Sequence, residues 1–403
     1  MKIGIDLRAL QTGHKFRGIG EVAKQITSRI ITLGIEDNEF IFYEYEDADD
    51  PKTMLSLPNG IKFRVITQGR VIEKTQRSRG QKLRAAFNQL YGTPVKGSGE
   101  SDVFLQYDYA FGVPKDAKTI LVMHDLIPLI FKTQYFESAW IPFRNRALRT
   151  TLRTMFANYR YMRLLRRGLA NAHSVVCVSA STKKDVIKFF HVPEHKLQVV
   201  HLGVDVKPAK TADAVKPSQL PAKPYLLFVG AGDARRRIDD LVVVFNNLKA
   251  DGNDIQLALV GENFASAEKI PNLMTRDAVL SSSYIKDILT LGYVDDSTKQ
   301  ALYKGAIAFV YPTLYEGFGI PVLEAMLLRC PIVTYRNSSI PEVGGTYAHY
   351  AYDWQGMKEI TEMLLSQDAE QRGRELNASY AHAVAFTWDA SAEKIFDIII
   401  QRR

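Results

Sequence analysis

The stretch YEGFGIPVLEAM, residues 315–326, sets Glu316 and Glu324 on either side of two glycines, a proline and a run of apolar residues. Gly317 and Gly319 let the backbone come close to a ligand, because a residue without Cβ adopts turns that others avoid. Pro321 fits the first turn of a following helix, where its missing N–H costs nothing. That helix start offers unpaired N–H groups and a positive dipole end to an anion, along a run from Phe318 and Gly319 through Ile320, Val322 and Leu323. We place Glu324 in the same first turn, accepting from two hydroxyls of a ribose. Glu316, across the loop, is placed to do the same for a second sugar. The residues before the loop, IAFVYP (307–312), read as a buried strand. Strand, glycine loop and helix in that order form the repeating unit of a doubly wound α/β sheet.

Working outward, the same unit recurs along the whole chain. KIGIDL (2–7), EFIFYEY (39–45), KFRVI (62–66), DVFLQY (102–107), TILVMHD (119–125), SVVCVS (174–179) and LQVVHLG (197–203) read as strands, with helical periodicity in 20–33 and 181–190. A proline-rich stretch without apolar period, 205–224, interrupts the alternation. It restarts with strands YLLFVG (225–230), IQLALVG (255–261), TLGYV (290–294) and PIVTY (331–335), between helices at 237–249, one ending near 290, 296–305, 321–329 and 354–366. A chain of 403 residues exceeds one ordinary core. The expected fold class is therefore α/β, with two doubly wound parallel-sheet (Rossmann-like) domains facing a cleft. The expected boundaries are a first domain over 1–205, a linker over 206–224, a second domain over 225–385, and a C-terminal helix over 386–403 packing back on the first domain.

Ligands of such sheets sit at the carboxyl ends of the strands. Two more loops join the opening stretch there. In GAGDARRR (230–237), Gly230 lets the chain bend, and Arg235 and Arg236 carry guanidinium groups that match a diphosphate through paired hydrogen bonds. LGYVDD (291–296), with Val294, offers apolar and backbone groups suited to a flat base. Two polyol grips flanking a diphosphate cradle describe a nucleotide sugar.

The composition is that of a soluble globular protein, 46% hydrophobic and 24% charged, and no apolar run is long enough for a membrane span. The N-terminus lacks the pattern of a signal peptide, and two cysteines, Cys177 and Cys330, suit a reduced cytoplasm. The formal net charge of +8 is unevenly placed: residues 68–99 carry seven Lys/Arg against one acid, and 132–167 carry nine against one. Within the second segment, Leu148, Leu152, Met155, Tyr159, Met162 and Leu169 share one helical stripe, and Arg146, Arg149, Arg153, Arg160, Arg163 and Arg167 share a nearly opposite one. An ordinary helix packing its apolar stripe on the core accounts for the first set but hardly for six arginines without glutamates. With Trp140 and Phe143 at its start, the arginine face suits an anionic membrane surface, and the expected location is the cytoplasm, peripheral on the inner face of the membrane. No nucleic-acid motif accompanies it, so no nucleic-acid partner is expected. DAD (47–49) has the form of a metal-binding D-x-D, but inside EYEDADD it reads as a solvated turn.

Glu316 and Glu324, with seven residues between them, match the E-x7-E signature, and the chain resembles glycosyltransferase family 4, whose members are GT-B-fold retaining glycosyltransferases. RGIG (17–20) resembles the glycine-rich loop of the family after its first strand, and HDLIPL (124–129) its histidine loop. VSASTKKD (178–185), HLGVD (201–205), FVGAGDARRR (228–237) and SSIPEVGG (338–345) resemble further family segments in the family's order. The resemblance implies that the first domain binds the acceptor and the second the nucleotide sugar. It implies that Arg235 and Arg236 neutralise the leaving diphosphate and that Glu324 holds the ribose. Glu316 would hold the transferred sugar with help from the N–H groups of Phe318 and Gly319, His124 would line the donor-sugar pocket, and Gly20 would approach the diphosphate. No cofactor and no metal are implied, since positive side chains and a helix end serve the leaving group. Two positions depart from the family pattern: Arg236 stands where lysine is usual, and Glu21 where arginine is common. IDLRALQT together with RGIG resembles family members acting on bacterial polysaccharides, which implies mannose or rhamnose transfer to a lipid-linked or membrane-proximal glycan. A catalytically silent nucleotide-sugar-binding protein and a sugar-nucleotide epimerase of the same fold are the alternatives.

Overall fold

A computed structural model describes residues 1–16, 18–46, 48–69, 95–132, 148–206 and 220–401. Most of the expected linker, most of the first basic segment, and Asp47, Trp140, Phe143 and Arg146 lie outside the described residues, as do the side chains of Arg149 and Arg153. The chain divides into two units, one of Met1–Gly203 with Thr387–Arg403, the other of Val204–Phe386.

In the first unit, β1 (Lys2–Asp6), β2 (Glu39–Glu44), β3 (Phe63–Thr67), β4 (Val103–Gln106), β5 (Lys118–Met123), β6 (Ser174–Cys177) and β7 (Leu197–Val199) form one sheet in the order β3-β2-β1-β4-β5-β6-β7. All pairings are parallel. The apolar runs of β1, β2, β4, β5 and β6 are continuous rather than alternating because helices cover both faces, and Ile3, Ile5, Phe40, Phe42, Phe104 and Leu121 are fully buried. Helices α1 (Gly18–Gly34), α2 (Leu148–Asn171) and α3 (Ala180–Phe190) belong to this unit. So does the C-terminal helix, Trp388–Ile400. Arg29 of α1 meets Asp389 at 2.5 Å, and Ser391 Oγ donates to His201 O at 2.7 Å. A Cβ on Gly203 would lie 2.1 Å from the Trp388 nitrogen, so the two backbones touch there.

In the second unit, β8 (Tyr225–Val229), β9 (Gln256–Val260), β10 (Ile288–Gly292), β11 (Ala308–Tyr311), β12 (Ile332–Tyr335) and β13 (His349–Ala351) run in the order β10-β9-β8-β11-β12-β13, again all parallel. Helices α4 (Ile238–Ala250), α5 (Leu273–Leu280), α6 (Asp296–Gly305), α7 (Ile320–Leu327), α8 (Trp354–Ser366) and α9 (Ala369–Ala383) connect or cover the strands. The strand order reverses between β8 and β11, which opens the crevice where ligands of doubly wound sheets bind. GAGDARRR follows β8 and the Glu316 loop follows β11, so both loops border this one point.

Four expectations are corrected. The helix expected to end near 290 is α5, which ends at Leu280, and β10 covers Ile288–Gly292 rather than 290–294. Gly18–Gly20 of RGIG are not in a loop: they form the first turn of α1, and two short 3-10 turns lie within Arg8–Phe16 before it, while Arg17 lies outside the described residues. Glu324 is the fifth residue of α7, one residue past the first turn, because the helix starts directly after Gly319 and not at Pro321. Among the described side chains of α2, the apolar stripe is buried only toward the C-terminus. Leu165 and Leu169 join the core beside β5 and β6 with Met162 packed against it, while Met155 and Tyr159 are each 55% exposed.

Candidate functional site

The loop after β11 is built around one carboxylate oxygen. Glu316 Oε1 accepts from Arg235 Nη1 at 2.5 Å, from the Tyr311 hydroxyl at 2.7 Å and from Thr313 Oγ1 at 3.1 Å, with Arg236 Nε at 3.4 Å. Tyr311 ends β11 and Thr313 follows two residues later, so strand and loop place both hydroxyls on the same oxygen. Burial pushes the Glu316 carboxyl up, but Arg236, Arg235 and the Tyr311 bond outweigh it and hold it below the usual carboxylate range. The Tyr311 hydroxyl is pushed well up by burial and stays protonated, a donor to the carboxylate.

A second layer fixes the loop. Ser338 Oγ accepts from the Glu316 N–H at 2.9 Å, and Ser339 Oγ lies 2.9 and 2.8 Å from the carbonyls of Glu316 and Phe318. Asn337 Nδ2 donates to Thr313 O at 2.7 Å. Ser338 holds a φ of 45°, a conformation disfavoured for a residue with Cβ, which the surrounding bonds sustain.

At the start of α7, Gly319 has φ 112°, open only to glycine at low cost. The Val322 and Leu323 N–H groups point back to Gly319 O at 3.0 and 3.4 Å, and both side chains are fully buried. They serve the turn and the core. The N–H groups without a protein acceptor among the described residues are those of Gly319 and Ile320. Phe318 is buried and its ring lies 6.2 Å from that of Phe386.

Glu324 stands apart from this cluster. Lys299 Nζ of α6 donates to Oε1 at 2.9 Å, and the Tyr303 hydroxyl to Oε2 at 3.3 Å. Burial alone would lower Lys299, but Glu324 and Asp296 hold its ammonium above its ordinary value. Sequence reasoning missed Lys299 and Tyr303. Their signal was an i, i+4 pair behind the Asp295 cap, but nothing in the spacing names the carboxylate they meet. Val294 lies in the turn between β10 and α6, beside Tyr293, which is 83% exposed.

Gly20 and His124 belong to the first unit. His124, at the carboxyl end of β5, is half-buried, and its Nε2 lies 3.0 Å from Tyr107 O. A carbonyl only accepts, so Nε2 carries the proton. Glu21, the acid beside Gly20, is taken up by Gln25 at 2.6 Å and Lys24 at 3.9 Å. Burial pushes the Cys177 and Cys330 thiols up to about 12, which makes them poor nucleophiles. Asp49 of the DAD turn pairs with Lys15 at 3.1 Å, and among the described residues no group of three or more His, Cys, Asp or Glu is placed to hold a metal.

Two doubly wound sheets, with a carboxylate–arginine cluster and a helix start at a switch point, define an α/β protein with a candidate ligand site at its strand ends. Comparison with known proteins narrows this. A model described as "Glycosyltransferase Family 4" matches residues 103–207, and one described as "Glycosyl transferases group 1" matches residues 211–372. The chain belongs to glycosyltransferase family 4. It is 28% identical over 239 residues to the O-antigen chain mannosyltransferase B of Escherichia coli, covering 57% of this chain and 61% of that protein. It is 25% identical over 428 residues to the serotype-specific mannosyltransferase WbdA of Escherichia coli, covering 97% of this chain and 47% of that one. The matches thus span about half the length of these relatives. Among solved structures, Anabaena HepE in complex with UDP and glucose superposes with a TM-score of 0.63 at 16% identity, over 99% of each chain. WaaG, a glycosyltransferase involved in lipopolysaccharide biosynthesis, gives 0.62 at 16% identity over 99% of this chain and all of that one. These likenesses give the fold, which is GT-B.

Proposed function

We propose that the protein is a retaining, metal-independent hexosyltransferase. It would move a hexose or deoxyhexose, mannose before rhamnose, from a nucleotide diphosphate sugar to a lipid-linked or membrane-proximal glycan in bacterial polysaccharide synthesis. The observation that carries this is the meeting of Arg235, Arg236 and Glu316 at the β8/β11 switch point. Arginine charge and the open Gly319 and Ile320 N–H groups are matched to a leaving diphosphate, the place a metal would otherwise serve. Glu324 takes the ribose and Glu316 the transferred sugar. The donor-side roles of Gly20 and His124 come from the family resemblance. The two relatives named as O-antigen or serotype-specific mannosyltransferases make mannose the first donor to try.

The chemistry follows from what the site lacks as a base. Glu316 is ionised, saturated at Oε1 and held below its usual range, which makes it a weak proton acceptor. The acceptor hydroxyl therefore attacks the anomeric carbon from the face the diphosphate leaves. The carbon–oxygen bond to the phosphate breaks as the new one forms, and a phosphate oxygen of the leaving group takes the hydroxyl proton. The test is a panel of GDP- and UDP-linked sugars with a mannan acceptor, reading released nucleotide and the anomeric configuration of the product. Binding without release from any donor would favour the silent reading, and a changed sugar nucleotide without acceptor would favour the epimerase.

Glu324→Gln is expected to weaken free nucleoside diphosphate and intact donor alike by about tenfold, the scale of one charged hydrogen-bond partner. Lys299→Met should follow it in direction, since Lys299 sets the Glu324 rotamer. Calorimetry decides, and a loss confined to the intact donor would move Glu324 off the ribose.

We extend the reading to an anionic membrane surface. No helix of the described residues is long and apolar enough to cross a membrane. The exposed Met155, Phe156 and Tyr159 of α2 lie near Arg160, Arg163 and Arg167, and Arg163 donates to the Tyr159 hydroxyl at 3.1 Å. Exposed apolar groups among arginines suit an interfacial helix. Replacing Arg160, Arg163 and Arg167 by Gln should reduce co-sedimentation with anionic vesicles by about a hundredfold, at about 1 kcal/mol per charge. Equal binding to neutral and anionic vesicles by the unchanged protein would remove this part of the proposal.

A further inference from the structure

Sequence treats Arg235 and Arg236 as a pair with one task, but the geometry gives them different ones. We propose that Arg235 is a positioning residue dedicated to Glu316, while Arg236 alone brings unspent donors to the leaving diphosphate. The proposal rests on the donor-transfer reading and divides the labour inside that site.

Arg235 is 5% exposed. Its Nη1 reaches Glu316 Oε1 at 2.5 Å, Tyr315 O at 2.7 Å and Thr313 Oγ1 at 3.4 Å, while Nη2 stands 3.6 Å from Asp233. Its carbonyl also accepts from the Leu314 N–H at 2.8 Å. Side chain and backbone of one residue thus both hold the loop after β11. A guanidinium spent in this way fixes where Glu316 Oε1 sits. All the contacts made to the Glu316 carboxylate by described residues fall on that oxygen, so Oε2 is the one left for a sugar hydroxyl.

Arg236 is differently placed. Its Nη1 donates to Ala231 O at 3.2 Å, and its guanidinium lies 5.7 Å from the Tyr311 ring centre. Its Nε stands 3.4 Å from Glu316 Oε1, outside hydrogen-bond geometry, and is buried without a hydrogen-bond partner. Nη2 makes no hydrogen bond to a described residue. A residue serving only as counter-ion to Glu316 would close the Nε bond. One held beside an aromatic ring with Nε and Nη2 unspent is arranged for an acceptor that arrives later. Gly230 supplies the room: a Cβ there would lie 2.2 Å from Arg236 Nη1.

The two roles separate in binding and turnover. The unchanged protein is titrated with GDP and with UDP, and the tighter nucleotide serves as probe. Arg236→Gln should weaken it at least about tenfold, because a charged donor to the diphosphate is gone. Arg235→Lys should leave that affinity within about threefold but cut kcat about a hundredfold, since only the sugar end is misaligned. The acid limb of its pH–rate profile should also move to higher pH, as the shorter lysine gives up the close hydrogen bond from Arg235 Nη1 that favours the ionised form of Glu316. Tyr311→Phe keeps the ring beneath Arg236 and removes one bond to Oε1, so it should resemble Arg235→Lys in sign. If Arg235→Lys fails to fold, Tyr311→Phe and Thr313→Val carry the test. Equal loss of nucleotide affinity in Arg235→Lys and Arg236→Gln would overturn the division, as would weakened nucleotide binding in Tyr311→Phe. No binding of either nucleotide by the unchanged protein would overturn the donor reading and the division with it.

Discussion

Glu316→Gln is expected to cut transfer by at least about a thousandfold while free nucleoside diphosphate still binds within about threefold of the unchanged protein. Glutamine keeps the shape of the side chain but removes the charge that two arginines and two hydroxyls converge on. Its amide either turns an N–H toward Arg235 or keeps the oxygen there and gives up the anionic second oxygen. In both cases the sugar end of the site loses its charged acceptor, and buried Arg235 loses the nearer of its two counter-ions, keeping Asp233 at 3.6 Å. Loss of one partner of a buried pair costs about 3–5 kcal/mol, so the variant should also melt earlier. Nucleotide affinity is the discriminating reading. The leaving group meets Arg236 and the helix start, not Glu316, so a matching loss of nucleotide binding would show that Glu316 does not face the transferred sugar. The pH dependence has a definite sign. The folded-state pKa of Glu316 lies below its unfolded value of about 4.3, so its pairing stabilises fully above roughly pH 5 and is lost as pH falls through that range.

Much of this arrangement was legible in the sequence because parallel sheets leave a strong mark. Strands buried on both faces are continuously apolar, with Gly230 directly after one and Gly317 and Gly319 within the loop after another, so the two arginines and Glu316 are assigned to strand ends from sequence. What failed was whatever depended on tertiary partners. The α2 stripe keeps one period from Leu148 to Leu169, yet among its described side chains Met162 and Leu169 pack on the core while Met155 and Tyr159 are exposed. Periodicity gives the face of a helix and not the length that is covered. Glu324 was placed one residue early because Pro321 marks a helix start only to within a residue or two. Lys299 carried no signal, because a lysine on an amphipathic helix looks the same whether it faces water or a carboxylate 25 positions later. The arginines looked equivalent for the same reason. Their difference comes from Tyr311, Thr313 and the carbonyl of Tyr315, groups whose convergence on one oxygen is a property of the folded loop.

Gly230 and Gly261 show how such differences become measurable, and their alanine variants should part company. Both glycines end central strands with φ of 151° and 144°, a region costly to a residue with Cβ. On Gly261 the new Cβ would lie 2.0 Å from Gly230 O, a backbone atom held by the Gly230 N–H bond to Val260 O at 2.9 Å. Nothing flexible stands in the way, so the strand ends must move apart. Gly261→Ala should therefore cost about 3 kcal/mol or more and lower the melting temperature of its unit by roughly 6–12 °C. On Gly230 the nearest atom is Arg236 Nη1, the far end of a side chain that can swing away. Gly230→Ala should cost the fold only about 1–2 kcal/mol of backbone strain, but it displaces the guanidinium from the Tyr311 ring. Its mark is then on ligand binding, with nucleoside diphosphate affinity falling by about tenfold as in Arg236→Gln. Thermal melts and nucleotide titrations on the two variants separate these outcomes. A Gly230→Ala protein that binds nucleotide normally would show that the Arg236 position it disturbs is not the one the diphosphate needs.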